Sequence, residues 1–439
     1  MASEWVSTRL GDIIRVKHGW AFKSPEFDAE WERKPIVISV GNFRYTGGFR
    51  FSETTTRGYR GAYPKEFELS PGDILLVMTC QTAGGEILGI PARVPNDGRT
   101  YLHNQRLGKV VVLDEARVDP DYIYWLFLWD EFNRELVASA SGTKILHTAP
   151  SRIEDFSFDL PPLSEQHAIA NILGTLDHKI ELNRRLSETL EAMARALFKS
   201  WFVDFDPVRA KIEGRDPGLP KHIADLFPDR LVDSELGEIP EGWEVKSLDQ
   251  IAHFQNGLAL QKYRPQPGGE RLPVVKIAQL RSGKADSDEW ATANLTPKCI
   301  IDDGDVVFSW SGSLIVRVWC GGRAALNQHL FKVTSEDYPR WFFLEAILSH
   351  LAEFRQIAAG KATTMGHIQR RHLADARCVV PGNDLLTAAC PLFSVLVDRG
   401  ILIDVQNRQH AELRDTLLPK LISGELRVKD AEKFMESVP

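Results

Sequence analysis

Residues 163–202 read LSEQHAIANILGTLDHKIELNRRLSETLEAMARALFKSWF, and the architecture turns on this stretch. Ile169, Ile172, Leu173, Leu176, Ile180, Leu186, Leu190, Met193 and Leu197 recur at helical spacing and form one apolar stripe. Ser164 stands where an N-cap is expected, and Glu165 adds an acid where the helix dipole favours one. About 40 residues at about 1.5 Å each make a rod of roughly 60 Å, far longer than an average globular helix. A small domain cannot bury a stripe of that length, so a second helix is expected along it. Residues 385–426, LLTAACPLFSVLVDRGILIDVQNRQHAELRDTLLPKLISGEL, supply a matching set in Leu392, Leu396, Ile403, Leu413, Leu417 and Leu421. At a single offset Leu173 falls on Leu396, Ile180 on Ile403, Leu190 on Leu413 and Phe198 on Leu421, and the polar Asn183 on Gln406. Pro391, Gly400 and Pro419 predict that this second helix is bent or broken. The expected seam is therefore Ile169, Leu173, Leu176, Ile180, Leu190 and Leu197 against Leu396, Ile403, Leu413, Leu417 and Leu421.

What precedes each helical segment is written twice. Trp5 and Trp243, Leu10 and Leu248, Ile13 and Ile251, Gly19 and Gly257, and Ala21 and Ala259 correspond without a gap. P-G-D-I-L-L (Pro71 to Leu76) answers D-G-D-V-V-F (Asp303 to Phe308), each a Gly-Asp turn feeding a buried strand. H-N-Q-R-L (His103 to Leu107) answers L-N-Q-H-L (Leu326 to Leu330), and S-G-T-K (Ser141 to Lys144) answers A-G-K-A (Ala359 to Ala362). Pro161 and Pro381 mark the exits. The fold class is thus α/β (α+β) multidomain: two pseudo-repeated α/β domains, residues 1–160 and 236–382, separated by two long helices, 161–205 and 383–430. Residues 206–235, rich in Pro, Gly and charge, read as a connector with short structured pieces.

The chain's 439 residues suit more than one core. No apolar run is expected to approach the roughly 18 residues that span a bilayer, and the N-terminus lacks a secretory pattern, so a cytoplasmic protein clear of the membrane is expected. Cys80, Cys299, Cys320, Cys378 and Cys390 form an odd set without zinc spacing and are expected to be reduced and mostly buried, with no metal.

The net charge of -7 argues against nucleic acid, but its distribution argues the other way. Residues 42–60 carry Arg44, Arg50, Arg57 and Arg60 against Glu53, interleaved with Phe43, Tyr45, Phe49, Phe51 and Tyr59. Residues 262–284 carry Lys262, Arg264, Arg271, Lys276, Arg281 and Lys284 against Glu270. Such runs serve as solvated loops or as phosphate contacts, and their recurrence in both halves favours the second. Reading bases takes amide and guanidinium groups, Arg for guanine and Asn or Gln for adenine. Gln81, Asn104, Gln105, Arg106 and Lys144 in the first half, and Asn327, Gln328, His329, Lys361, Arg370 and Arg371 in the second, have that chemistry. The repeated Asn-Gln has a second reading, as a tie for a loop backbone.

The order of these parts resembles the specificity subunits of type I restriction-modification systems. Pro161 to Leu173, the F-K-S-W-F-V-D-F-D-P-V-R stretch at Phe198 to Arg209, and S-E-L-G-E-I-P-E-G-W at Ser234 to Trp243 carry the resemblance. It implies that each α/β unit is a target-recognition domain and that the helices form an antiparallel coiled coil acting as a ruler. It also implies double-stranded DNA, two methyltransferase subunits and restriction/translocase subunits as partners. S-adenosylmethionine, ATP and magnesium would belong to those partners, with none in this chain. A coiled-coil scaffold, or a subunit of a modification-only system, is the alternative.

The sequence has no Asn or Asp-Pro-Pro-aromatic segment for adenine methylation and no phosphate-binding G-x-x-x-x-G-K-[ST] loop. Asp28, Glu32 and Lys34 faintly suggest a nuclease set, but their spacing favours a charged turn. A non-catalytic subunit is expected.

Overall fold

The computed structural model describes residues 5–82, 84–360 and 366–431. Two compact units emerge, one from Met1–His178 with Glu412–Pro439, the other from Lys179–Ala411.

In the first unit the opening strand Val6–Arg9 pairs antiparallel with the closing strand Ser157–Leu160. Between them lie two sheets. Ile14–His18, Leu107–Val112, Ile74–Val77 and Pro91–Arg93 form an antiparallel four-stranded sheet. Phe27–Asp28, Gly58–Tyr59, Ile36–Ile38, Tyr101–His103 and Glu68–Leu69 form the other, with Tyr101–His103 parallel to Ile36–Ile38. The second unit repeats this plan. Glu244–Ser247 pairs with Arg377–Val380. His253–Asn256, Leu330–Thr334, Val306–Ser309 and Val316–Val318 make one sheet, and Trp290–Thr292, Arg271–Val275, Ala324–Leu326 and Ile300–Ile301 the other, again with a parallel pair at its centre.

The Gly-Asp turns explain why the buried strands start where they do. Gly72 and Gly304 have φ of 88° and 93°, a region that favours glycine. Asp73 accepts the Ser70 N–H at 2.8 Å and the Lys109 ammonium at 2.6 Å. Asp305 accepts the Asp302 N–H at 2.8 Å and the Lys332 ammonium at 2.7 Å. Each turn is thereby pinned to a neighbouring strand, and Ile74–Val77 and Val306–Ser309 follow fully buried.

Both long helices are 40 residues, Leu163–Phe202 and Asn383–Ile422. The first is under way at Leu163, where the Pro162 carbonyl accepts the Glu165 N–H at 2.9 Å and the Gln166 N–H at 3.0 Å, so Ser164 lies inside the helix and not at its cap. The second is unbroken, against the expectation from Pro391, Gly400 and Pro419. Each proline removes a single backbone donor, and the flanking residues are held by packing. Leu385, Leu386, Ala389 and Phe393 sit in the core of the second unit, and Leu417, Leu418, Leu421 and Ile422 in that of the first.

In the first unit Ile169, Leu173 and Leu176 share a core with Leu417 and Leu421, with Leu413 packed at its margin. Arg427 meets Glu165 at 3.2 Å and Arg414 meets Asp177 at 2.7 Å, which makes the helical segments antiparallel. In the second unit Trp201 lies edge-on to Phe393, ring centroids 5.5 Å apart, and Ser187 donates to Asp404, again antiparallel. Leu396 and Ile403 are buried there, while Ile180, Leu190 and Leu197 are half-buried. Leu186, Met193 and Leu392, expected on the buried stripe, are exposed. The seam runs instead through the small residues Ser187 and Ala194, both buried, and a Cβ at Gly400 would lie 3.9 Å from the Ser187 hydroxyl. A side chain at Gly400 would therefore make only an ordinary contact with Ser187.

By length and composition the second helix contains an 18-residue stretch apolar enough to cross a membrane, 33% of it buried within the protein. Asp398 and Arg399 interrupt its apolar run.

The connector is part of the second unit's core. It contains helices Asp206–Ile212 and Lys221–Ala224 and the hairpin Leu231–Ser234/Gly237–Pro240. Val208, Ile223 and Phe227 are buried beside Trp201, Phe202 and Trp243. Phe205 adopts a left-handed φ of 57° to turn the chain out of the first helix, and its buried ring packs edge-on to Trp243 at 5.8 Å. Cys80, Cys299, Cys320 and Cys378 are buried thiols, and Cys390 is half-buried.

Candidate nucleic-acid interface

The corresponding Gly and Asn-Gln motifs meet in space, once in each unit. Gln105 donates its N–H to the Trp20 carbonyl at 3.0 Å, and Gln328 to the Leu258 carbonyl at 2.9 Å. The approach leaves no room for a side chain. A Cβ on Gly19 would sit 2.3 Å from the Asn104 carbonyl oxygen, and one on Gly257 would sit 2.2 Å from that of Leu326. Asn104 accepts the Arg106 N–H at 3.0 Å and Asn327 accepts the His329 N–H at 3.2 Å. Both asparagine side chains therefore tie the turn, whereas Gln105, Arg106 and Gln328 project exposed from it.

The residue before each motif differs chemically, His103 in one unit and Leu326 in the other, yet both are buried. Burial pushes the His103 pKa down to about 4, and its Nε2 donates to the Leu107 carbonyl at 2.9 Å. A neutral imidazole so held serves as a core residue. Around Gln328, Trp310 donates its indole N–H to the Gln328 carbonyl at 3.1 Å, and Ser311 lies 3.1 Å from His329 Nδ1.

The remaining candidates divide into two groups. Some are engaged by their own fold. Arg57 donates to the carbonyls of Glu53 and Thr56 at 2.9 and 2.7 Å. Arg60 donates to Pro25 at 2.9 Å and lies 3.8 Å from Glu26. Lys276 pairs with Glu289, and Arg281 donates to Ser313. Arg370 donates to the Phe254 carbonyl at 3.0 Å and lies over the Phe331 ring. Arg44 is half-buried. The others, Arg50, Gln81, Lys144, Lys262, Arg264, Lys284 and Arg371, are exposed. Lys361 lies outside the described residues.

One exposed feature was not legible in the sequence. The Arg271 guanidinium stacks on Trp290, 4.3 Å from the ring centroid. These residues are far apart in the chain, and only the antiparallel register, with Pro273 opposite Trp290, makes them neighbours. Asp28 and Lys34 form an ion pair, whose hydrogen bond holds the Asp28 carboxyl below its usual range, and Glu32 is exposed. Among the described residues no three His, Cys, Asp or Glu side chains are grouped to hold a metal ion.

The family described as type I restriction modification DNA specificity domain matches residues 2–192 and 240–377. The specificity subunit of type I restriction enzyme HindI from Haemophilus influenzae is 24% identical, over 97% of this chain and 100% of the relative. The MjaVIII specificity subunit from Methanocaldococcus jannaschii is 27% identical, over 97% and 94%. Among solved structures, the S subunit of a type I restriction-modification system from M. genitalium shares the fold with a TM-score of 0.56 at 14% identity, covering 95% of this chain and 96% of that one. The family match covers most of the chain in two segments, and the structure repeats one α/β frame in two units; the protein belongs to the family of type I restriction-modification DNA specificity subunits.

Proposed function

We propose that this chain reads a bipartite, asymmetric duplex target, one half-site per α/β domain, and directs adenine methylation or restriction by partner subunits. The observation that carries the reading is the pair of Asn-Gln turns. The backbone tie and the exposed glutamine, Gln105 or Gln328, are the same in both, but the next residue differs: exposed Arg106 in one, half-buried His329 in the other. A repeated scaffold with an unlike neighbouring side chain is what two different half-sites require. Exposed cations such as Arg50, Lys144, Lys262, Arg264 and Arg371 would hold phosphates.

In this reading the chain performs no chemistry of its own. S-adenosylmethionine belongs to two methyltransferase subunits, ATP and magnesium to restriction/translocase subunits, and the complex works on cytoplasmic DNA. The domain boundaries follow the repeat, 1–160 and 236–382, with the long helices as spacer.

Exchanging residues 236–382 for another recognition domain tests the proposal. Base-resolved mapping of methylated adenines in cells carrying the chimaeric complex should show one half of the motif changed and the other kept. A change in both halves, or in neither, contradicts modular reading. Assembled complexes without affinity for any duplex would favour the scaffold alternative.

A further inference from the structure

Within the second unit a partly open cavity of about 480 Å³ is lined by both long helices, the helix Arg340–Ala359 and the strand Val316–Val318. Glu345 projects from that last helix into the cavity wall. It is 4% exposed, and its Oε2 has no hydrogen-bond partner in the protein. A buried carboxylate oxygen without a donor is costly, so the position calls for a cation or a donor from elsewhere. Two more carboxyls line the cavity, Glu191 on the first long helix and Asp404 on the second. The rest of the lining is mixed, with aliphatic Leu344, Leu396 and Val397 beside Arg184, Arg195, Arg281 and Arg317.

We propose that this cavity binds a linear aliphatic diamine, one ammonium on Glu345 and the other toward Asp404 and Glu191, with the methylenes along the leucine-lined wall. Three observations select this class. The acids come from three different helices, and among the described residues none groups with two others closely enough to share a metal ion. Leu344, Leu348, Leu396 and Val397 give the lining an apolar strip on which methylenes can lie, which a hydrated inorganic ion does not use, although Arg184, Arg195, Arg281 and Arg317 line the cavity too. The cations that already line the cavity leave Glu345 Oε2 without a hydrogen bond. Arg184 is held by Glu181 and Glu188, Arg281 donates to Ser313, and Arg317 donates to the Arg281 carbonyl at 3.3 Å. Arg195 faces Glu345 and lowers its pKa, without a hydrogen bond to it.

The charge state supports the geometry. Burial pushes the Glu345 pKa up to about 7, with Glu191 adding to the rise and Arg195 opposing it. Burial also raises Asp404, against the Ser187 hydrogen bond and the nearby Arg317, and raises Glu191, reinforced by Asp404 and opposed by Arg195 and Arg317. An ammonium bound at Glu345 favours its ionised form. Binding near pH 7 should therefore release part of a proton to the buffer.

Isothermal titration of the full-length chain with 1,4-diaminobutane at pH 7, in two buffers of different ionisation enthalpy, tests this. The expected result is saturable 1:1 binding, proton release, and preference over n-butylamine. Glu345→Gln should weaken binding at least tenfold and abolish the proton release, while the exposed Glu336→Gln should leave both unchanged. Absence of saturable binding would mean that water suffices at Glu345, and it overturns the proposal. Equal weakening by both variants would mean diffuse attraction to the net charge of -7, and also overturns it. If circular dichroism shows Glu345→Gln unfolded, Asp404→Asn decides: it should erase the preference for the diamine over the monoamine, and an unchanged preference refutes the site.

Discussion

Single residues explain why two domains of unlike sequence keep one frame. Gly19 and Gly257 are required where one strand end presses on the Asn-Gln turn, because any Cβ there meets a backbone carbonyl that cannot move aside. Gly174, inside the first long helix, has nothing within 4 Å of its would-be Cβ. The two classes should respond oppositely to the same change. Gly19→Ala should lower stability by about 1–3 kcal/mol or more, through overpacking against backbone. Gly174→Ala should raise it by up to about 1 kcal/mol, from helix propensity alone. Urea midpoints of the purified variants measure both, and a Gly19→Ala protein as stable as the parent would show that the turn yields. The asparagines were ambiguous between reading a base and tying a loop; their side chains accept backbone N–H groups, which leaves the adjacent Gln105 and Gln328 as the amides free of that role.

At the level of elements, the long helices are defined by which of their faces pair. Arg414 is 7% exposed and joins Asp177 in the first unit, while Ser187 joins Asp404 in the second. An insertion into one helix alone must break one of these sets, so a change of length has to be made in both. Readers of half-sites on one side of a duplex sit about one helical turn apart, roughly 10 base pairs between centres. Four residues added between Thr175 and Arg195, matched by four at the same level of the second helix, add about 6 Å, or roughly two base pairs. The expected outcome is a methylated motif with both half-sites intact and a spacer longer by one or two base pairs. Insertion into the first helix only should instead lower stability and complex yield. An active double-insertion enzyme with the original spacing would show that the helices do not measure DNA.

For the whole molecule, two copies of one frame, two long helices and the connector make up most of the chain, and the sequence carries no Asn or Asp-Pro-Pro-aromatic segment and no G-x-x-x-x-G-K-[ST] loop. Purified protein incubated with duplex DNA and labelled S-adenosylmethionine should transfer no methyl groups above background. Addition of methyltransferase subunits should restore transfer. Robust transfer by the chain alone would refute the non-catalytic reading.

Periodicity and repetition were decisive in the sequence because both are local. The 3.6-residue stripe named the first helix, and the fixed offset from Trp5 to Trp243 named the second domain. Local signals misjudged Pro391, Gly400 and Pro419, since a proline's lost hydrogen bond and ring clash are local costs while the packing of Phe393 and Leu417 is set by distant partners. The same limit hid the exposed face at Leu186 and Met193, the Arg271–Trp290 stack and the unbonded Oε2 of Glu345. Each depends on which surface another segment covers, and a pattern along one strand or helix does not contain that information.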